Sequence, residues 1–274
     1  MGLTKWVAAA ACGLLLGVSA QAAPVSGQGT WETTLKGRDI SGNPVPLLVS
    51  GAPNPATVFV YDTVLNLTWL ANWNAGAGSS FDDGVSTTDG RMTWSWANAW
   101  AAALNVGGFS GWALPGVLDI GNDGCSATFP GTGFAGGADC GYNVYTGEVQ
   151  RRGSPLAHMF YDTLGNLAFC PPGDTACAGG PQTGWGLTNT GPFSNMQSDY
   201  YWSGTAYAPD PTSDAWSFNT NVGGQNLDDQ YGQFYAVAVR PGDVFAGSVP
   251  EPGGLAMLLT GLGALAVARR RRTR

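Results

Sequence analysis

Apolar residues run unbroken near both ends of this chain, whereas between them they come in short stretches separated by glycine- and asparagine-rich turns. In the middle part, residues 57–61 (TVFVY) and 67–70 (LTWL) are rich in β-branched and aromatic side chains. They flank Asp62-Thr63-Val64-Leu65-Asn66, which predicts a β-hairpin. Thr93 is placed to cap a helix over residues 94–105. On a helical repeat Trp94, Ala97, Ala101 and Leu104 share one face, and Trp96, Trp100 and Ala103 the next. Gly107-Gly108 would end that helix. Residues 112–115 read as a short extended segment and 116–145 as a long glycine-rich, cysteine-containing excursion. Residues 158–164 read as a second helical turn, and residues 200–203, 215–219 and 234–240 as three closing strands. The class implied is α+β, with short strands, one or two helices and much ordered loop.

The two unbroken runs sit at the termini. Lys5 precedes an apolar run over residues 6–18, and Ala20-Gln21-Ala22 offers a small-x-small cleavage site, so residues 1–22 read as a signal peptide cut after Ala22. Cys12, inside that run, is a passenger. At the other end residues 253–268 carry no charge. As a helix they would span roughly 24 Å at about 1.5 Å per residue, somewhat short of the roughly 30 Å hydrocarbon core. Arg269, Arg270, Arg271, Arg272 and Arg274 follow, able to snorkel to headgroups and to hold that end in the cytoplasm. Pro250 and Pro252 prevent the helix from extending upstream. The resulting division is 1–22 leader, 23–56 N-terminal segment, 57–245 main domain and 249–274 tail, with the transmembrane helix over about 253–268 and an arginine tail over 269–274.

Pro250-Glu251-Pro252, an apolar helix and an arginine block, in that order, resemble the PEP-CTERM sorting signal of bacteria that make extracellular polysaccharide. The resemblance implies an exosortase-type membrane protease as partner and transient insertion in the inner membrane. It further implies cutting near Pro250-Glu251-Pro252 and release to the cell surface or extracellular matrix.

Setting the two ends aside changes the charge balance. Six of the 12 Lys and Arg lie in the leader and tail, and of the 19 acidic residues only Glu251 does, so the remaining body carries about −12. Such a surface disfavours nucleic acid, anionic lipid and sulfated polyanions. Only 11% of residues are charged, with 42 Gly and 11 Trp, of which Trp6 alone is in the leader. Aromatics supply a core and glycines supply turns, so the body is not disordered. Its four cysteines, Cys125, Cys140, Cys170 and Cys177, read as two disulfides in an exported chain. Cys125–Cys140 with Cys170–Cys177 is the simplest of three pairings; closing the first loop would add about 3 kcal/mol in the chain-entropy model. No C-x-x-C occurs and His158 is the sole histidine, which argues against a metal or redox site.

Catalytic chemistry has little to work with. His158 sits in the apolar run LAHMFY, where a packed histidine is the ordinary case. Asp82-Asp83 and Asp228-Asp229 read as solvated turn carboxylates. Asp228 and Asp229, with Asn226, are weak calcium candidates, but the EF-hand spacing is missing. The expectation is therefore a non-enzyme without cofactor. Binding has better material: aromatic rings stack on sugar faces while amides bond hydroxyls. Tyr207, Trp202, Asn219 and Asn221 are the candidate contacts; Tyr207, lying in a loop, is the better exposed, whereas the preferred reading of Trp202, as of Trp216, is a core residue of a strand.

The segments YDTVLNLTWL, MTWSWANAWAAALNVGGFSGWALP, YWSGTAY, DAWSFN and FYAVAVRPGD together resemble the Lcl C-terminal domain family, named for a bacterial collagen-like adhesin. The resemblance covers residues 58–243, with Ala113 standing where relatives often have arginine. It implies a C-type-lectin-like fold, similar also to formylglycine-generating enzymes: a small antiparallel sheet, one or two helices and long Gly-rich disulfide-bonded loops. It further implies adhesion or exopolysaccharide binding; the alternative is a structural envelope protein without a dedicated ligand.

Overall fold

The computed structural model describes residues 22–120, 125, 152–170 and 179–245. The leader upstream of Ala22 and the tail with Pro250, Glu251 and Pro252 lie outside the described residues, as do Cys140 and Cys177. Among the described residues, no helix is long and apolar enough to cross a membrane. Antiparallel sheet dominates and helices are few, as expected of the α+β class.

The predicted hairpin is the centre of the molecule. Strands β5 (Phe59–Asp62) and β6 (Leu67–Leu70) pair from Phe59↔Leu70 to Asp62↔Leu67. The turn is held by Asp62 Oδ1, which accepts from the backbone N–H of Val64 at 2.9 Å and of Leu65 at 3.1 Å, an Asx-type turn. Side chains alternate across the strands. Val60 and Trp69 therefore face a cluster with Trp31, Leu35, Trp73 and Phe160. Phe59 and Leu70 face the opposite one, with Met92, Trp100, Trp112 and Trp202. Apolar burial on both faces fixes the register, since a one-residue slip would exchange the two sets. Each large side chain so buried contributes about 1.5–3 kcal/mol.

Part of the N-terminal segment 23–56, residues 35–38 and 44–45, joins this same sheet. After the short helix α1 (Trp31–Thr34), β1 (Leu35–Arg38) pairs with β5 from Leu35↔Asp62 to Arg38↔Phe59, and β2 (Pro44–Val45) pairs with β1. With β10 (Val239–Pro241) against β6, the strand order is β10-β6-β5-β1-β2. A small hairpin, β3 (Leu48–Val49) with β4 (Ala52–Pro53), stands apart from it.

Helix α2 spans Trp94–Ala103 and buries Ala97, Trp100 and Ala101, while Trp96 is 44% exposed and packs edge-on against Phe81. Thr93 is the N-cap residue, but its hydroxyl does not cap. It donates to Asp83 Oδ2 at 2.9 Å, Asp83 Oδ1 accepts the Thr93 N–H at 2.9 Å, and Gln230 O takes the Trp94 N–H at 3.0 Å. The first orphan donor of the helix, the Trp94 N–H, is thus met from outside it. The extended segment containing Trp112 lies beside β10, Ala113 bridging Val239. The predicted turn at 158–164 is α3 (Pro155–His158) running on into a π-helical turn, Met159–Thr163.

The closing strands form a second sheet: β7 (Tyr200–Ala206), β8 (Asp214–Asn219) and β9 (Gly224–Asp229) in that order. β9 has no counterpart in the sequence-based expectation. Residues 234–238 join by isolated bridges, Phe234↔Met92 and Tyr201↔Tyr235, rather than as the long strand expected there. Cys125 and Cys170 are disulfide-bonded.

Candidate functional site

Two adjoining hollows open among the described residues. The larger, about 550 Å³, has Val58, Leu70 and Ala71 at the ends of β5 and β6, with Leu104 and Val106 just beyond α2. Pro53, Pro55 and Pro192 also line it. The smaller, about 390 Å³, runs on past Phe193 and Met196 to the start of the described chain at Ala22, Ala23 and Pro24. Pro53 and Ser194 line both, so the two make one groove. Its volume falls within the range of small-ligand sites.

The groove is built by long-range pairing of irregular segments. Asn72 and Ser194 form a parallel bridge, in which Ser194 N–H donates to Ala71 O and Trp73 N–H to Ser194 O, each at 2.9 Å. Asn54 and Thr57 stabilise the proline-rich lip: Asn54 Nδ2 donates to Pro46 O at 2.7 Å and Thr57 Oγ1 to the same oxygen at 3.1 Å. The chain start is laid down by Asn189, whose Oδ1 accepts Val25 N–H at 2.9 Å, and by Thr190 Oγ1, which donates to Ala22 O at 3.3 Å. Ala22, the expected leader cleavage position, therefore sits at one end of the groove.

The polar rim is made of amides and hydroxyls. Asn195 Nδ2 donates to Asn72 Oδ1 at 3.1 Å, and Gln197 Nε2 donates to Asn195 O at 2.9 Å. Asn72 Oδ1 also accepts the Asn74 N–H at 3.0 Å, which leaves the Asn72 NH2 for solvent or a ligand. Asn195 holds a left-handed backbone, φ +54°, a region that asparagine tolerates better than most residues. Every described residue lining either hollow is uncharged. Such a groove offers apolar contact and neutral hydrogen bonding from its side chains; cutting after Ala22 would add one α-ammonium, that of Ala23, at its far end.

The candidates drawn from sequence lie elsewhere, and they do not converge. Trp202 is a core residue, 0% exposed, its Nε1 donating to Met92 O at 2.8 Å and its ring 4.5 Å from that of Phe234. That burial removes it as a ligand contact. Tyr207 is half-buried, edge-on to Trp216 at 6.0 Å. Asn219 is buried and shapes the β8–β9 turn, its Oδ1 accepting Asn221 N–H at 2.8 Å. Asn221 is exposed and accepts from Ser198 at 3.4 Å. Tyr200 pairs with Asn219 while Ala206 pairs with Ala215. Tyr207 and Asn219 are therefore at opposite ends of the β7–β8 hairpin, on the order of 15–20 Å apart at about 3.3 Å per residue.

Asp228 and Asp229 are no better placed for calcium. They are neighbours in β9 and so point to opposite faces. Asp228 accepts from the Ser217 hydroxyl and Asp229 Oδ1 from Tyr231 N–H at 2.8 Å. Burial raises the Asp228 pKa above the ordinary carboxylate value; the Ser217 hydroxyl opposes this and the Asp214 charge adds to it. Among the described residues, no group of three or more His, Cys, Asp or Glu is arranged to hold a metal ion. His158 is 1% exposed, its Nδ1 3.3 Å from Thr163 Oγ1, and does not line the groove. Asp82, expected as a solvated turn residue, is instead 4% exposed.

The sequence offered only faint signals for the groove: the prolines at 53, 55 and 192 and the asparagines at 54, 72 and 195 are ordinary turn residues until the fold brings them together. No protein-family model matches the chain, and no curated protein or solved structure matches it.

Proposed function

We propose that this is an exported, non-catalytic binding module of the cell surface or extracellular matrix, and that its groove takes a neutral stretch of exopolysaccharide. The observation that carries the reading is the character of the groove: apolar side chains with amides and hydroxyls among them, and no charged side chain on any described lining residue. Sugar rings present apolar C–H faces and neutral hydroxyls, and this surface complements both. In the same reading the chain has an Lcl-like, C-type-lectin-like domain and bears a PEP-CTERM tail. An exosortase-type protease removes that tail near Pro250-Glu251-Pro252 after transient insertion in the inner membrane, and disulfides Cys125–Cys140 and Cys170–Cys177 tie the long loops.

Binding of neutral and acidic oligosaccharides to the purified full chain in detergent tests the groove. Neutral oligosaccharides should bind, and Ala75→Trp, at an exposed position on the groove wall, should abolish that binding while leaving thermal stability unchanged. Uniformly blank glycans would leave the structural envelope role as the better reading, and binding indifferent to Ala75→Trp would move the site off the groove. The sorting claim has its own check: replacing Pro250-Glu251-Pro252 by alanines should retain the uncut form in the membrane. Unchanged size and release would remove it.

A further inference from the structure

The loop of residues 71–93, between β6 and α2, encloses two oxygens that lack a donor. Asp82 is 4% exposed. Its Oδ2 accepts two backbone N–H groups, Gly78 and Gly90, each at 2.9 Å. Its Oδ1 is enclosed and has no hydrogen-bond partner. Asn74 Oδ1 is likewise enclosed and without a partner. The orientation of that amide is fixed, because Asn74 Nδ2 donates to Asp89 O at 3.0 Å; turned over, the side chain would set oxygen against oxygen. Both side chains lie against Gly90. Its N–H goes to Asp82, and a Cβ added there would fall 1.8 Å from Asn74 Oδ1.

Buried acceptors without donors are rare in folded proteins, and an enclosed carboxylate oxygen is among the least tolerable of them. Neither atom can be satisfied by rotating a hydroxyl or flipping an amide, since an ionised carboxylate and an amide oxygen only accept. Arg91, the nearest cation in sequence, is engaged elsewhere, paired with Asp199 and lying over the Tyr235 ring at 5.1 Å. Two enclosed acceptors in one loop, both on side chains beside Gly90, are met by a cation or by a buried water.

We propose that this loop is a calcium site, with Asp82 Oδ1 and Asn74 Oδ1 as its side-chain ligands. The donor set is all oxygen, which excludes a preference for zinc, and it comes from an irregular loop, which suits the variable geometry of Ca²⁺ better than the strict octahedron of Mg²⁺. One carboxylate makes the site weak, with Kd about 10⁻⁴–10⁻³ M, the range of extracellular modules. The same loop reaches the groove: Asn74 N–H bonds Asn72 Oδ1, and both Asn72 and Ala75 line the larger hollow. Calcium at Asn74 and Asp82 holds that wall in place. The ion is a property of the loop and does not depend on what the groove binds.

Thermal unfolding of the purified full chain in detergent, in EDTA, in about 10 mM calcium and in about 10 mM magnesium, tests the site. Calcium should raise Tm by roughly 5 °C, as expected for a ligand well above its Kd on a domain of this size, and magnesium by much less. Asp82→Asn should lose most of the calcium increment. Asn74→Asp, which adds a carboxylate, should lower Tm in EDTA and tighten calcium binding several-fold by calorimetry. Absence of any calcium-dependent shift in the wild type, or an undiminished shift in Asp82→Asn, overturns the proposal and assigns the two oxygens to buried water. Should Asp82→Asn fail to fold, Asn74→Asp decides alone: unchanged calcium affinity overturns it.

Discussion

Arg38 and Asp243, 205 residues apart, are joined by two parallel hydrogen bonds, Nε to Oδ1 at 3.0 Å and Nη2 to Oδ2 at 2.6 Å. The side chains are 10% and 23% exposed, and Arg38 Nη1 also donates to Gly37 O at 2.9 Å. This contact ties β1 to the segment just after β10, across the intervening β5 and β6. Removing one partner of a buried pair strands the other's charge, and full burial would cost about 3–5 kcal/mol. Asp243 keeps some water, so Arg38→Ala should cost about 2 kcal/mol, read from the midpoint of urea unfolding. Arg38→Lys should recover less than half of that loss, since an ammonium cannot reproduce the two-pronged geometry.

The same contact shows where sequence reading stops. The β5–β6 hairpin was legible because TVFVY and LTWL are strong β formers around a turn that Asp62 stabilises locally. Helix α2 was legible for the same kind of reason, a local apolar repeat. β1 reads Leu35-Lys36-Gly37-Arg38 and β9 reads Gly224-Gln225-Asn226-Leu227-Asp228-Asp229, neither of which favours a strand on its own. Pairing with β5 and β8 makes them strands. The groove is less legible still, because residues 53–58, 70–75 and 192–196 meet only in the tertiary structure. Trp202 reads both ways, as core by preference and as a contact besides, because tryptophan serves both in a core and on a sugar-binding face; its burial agrees with the preferred reading.

Trp202 and Tyr207 should separate cleanly on substitution. Trp202→Ala, in a fully buried site, should destabilise by about 3–5 kcal/mol. Trp202→Phe should cost about 1 kcal/mol, because Met92 O keeps its second donor, the Phe234 N–H at 3.1 Å. Tyr207→Ala, at a half-buried position, should also cost about 1 kcal/mol or less, and it should leave glycan binding at the groove untouched. Denaturant midpoints and one binding isotherm per variant check all three.

Asn195 carries a conformational constraint at the groove rim. At φ +54° a β-branched side chain is strained, whereas glycine is not. Asn195→Val should lower stability by about 1–2 kcal/mol. Asn195→Gly should stay within about 0.5 kcal/mol of wild type, yet it removes the Nδ2 bond to Asn72 Oδ1 at 3.1 Å. If that bond positions the rim, Asn195→Gly should weaken oligosaccharide binding at nearly full stability. Calorimetric titration beside a thermal melt separates the two effects.

Asp228 gives the fold a pH dependence of definite sign. Burial raises its pKa in the folded state, so the folded protein holds that proton more tightly than the unfolded chain does. In the window from the ordinary carboxylate value up to the raised one, the folded state binds more protons, and stability falls as pH rises. Above that window the ionised, partly buried carboxylate is a constant liability, only partly relieved by the Ser217 hydroxyl. Asp228→Asn keeps a carbonyl oxygen for Ser217 and removes the charge, along with its repulsion from Asp214. The variant should therefore melt higher than wild type at pH 7, with the gap shrinking as pH falls and its charge-dependent part gone below about pH 3, where the aspartate is largely protonated in both states. Equal melting temperatures at pH 7, or a gap that grows on acidification, would mean that solvent reaches Asp228 well enough to cancel the effect of burial.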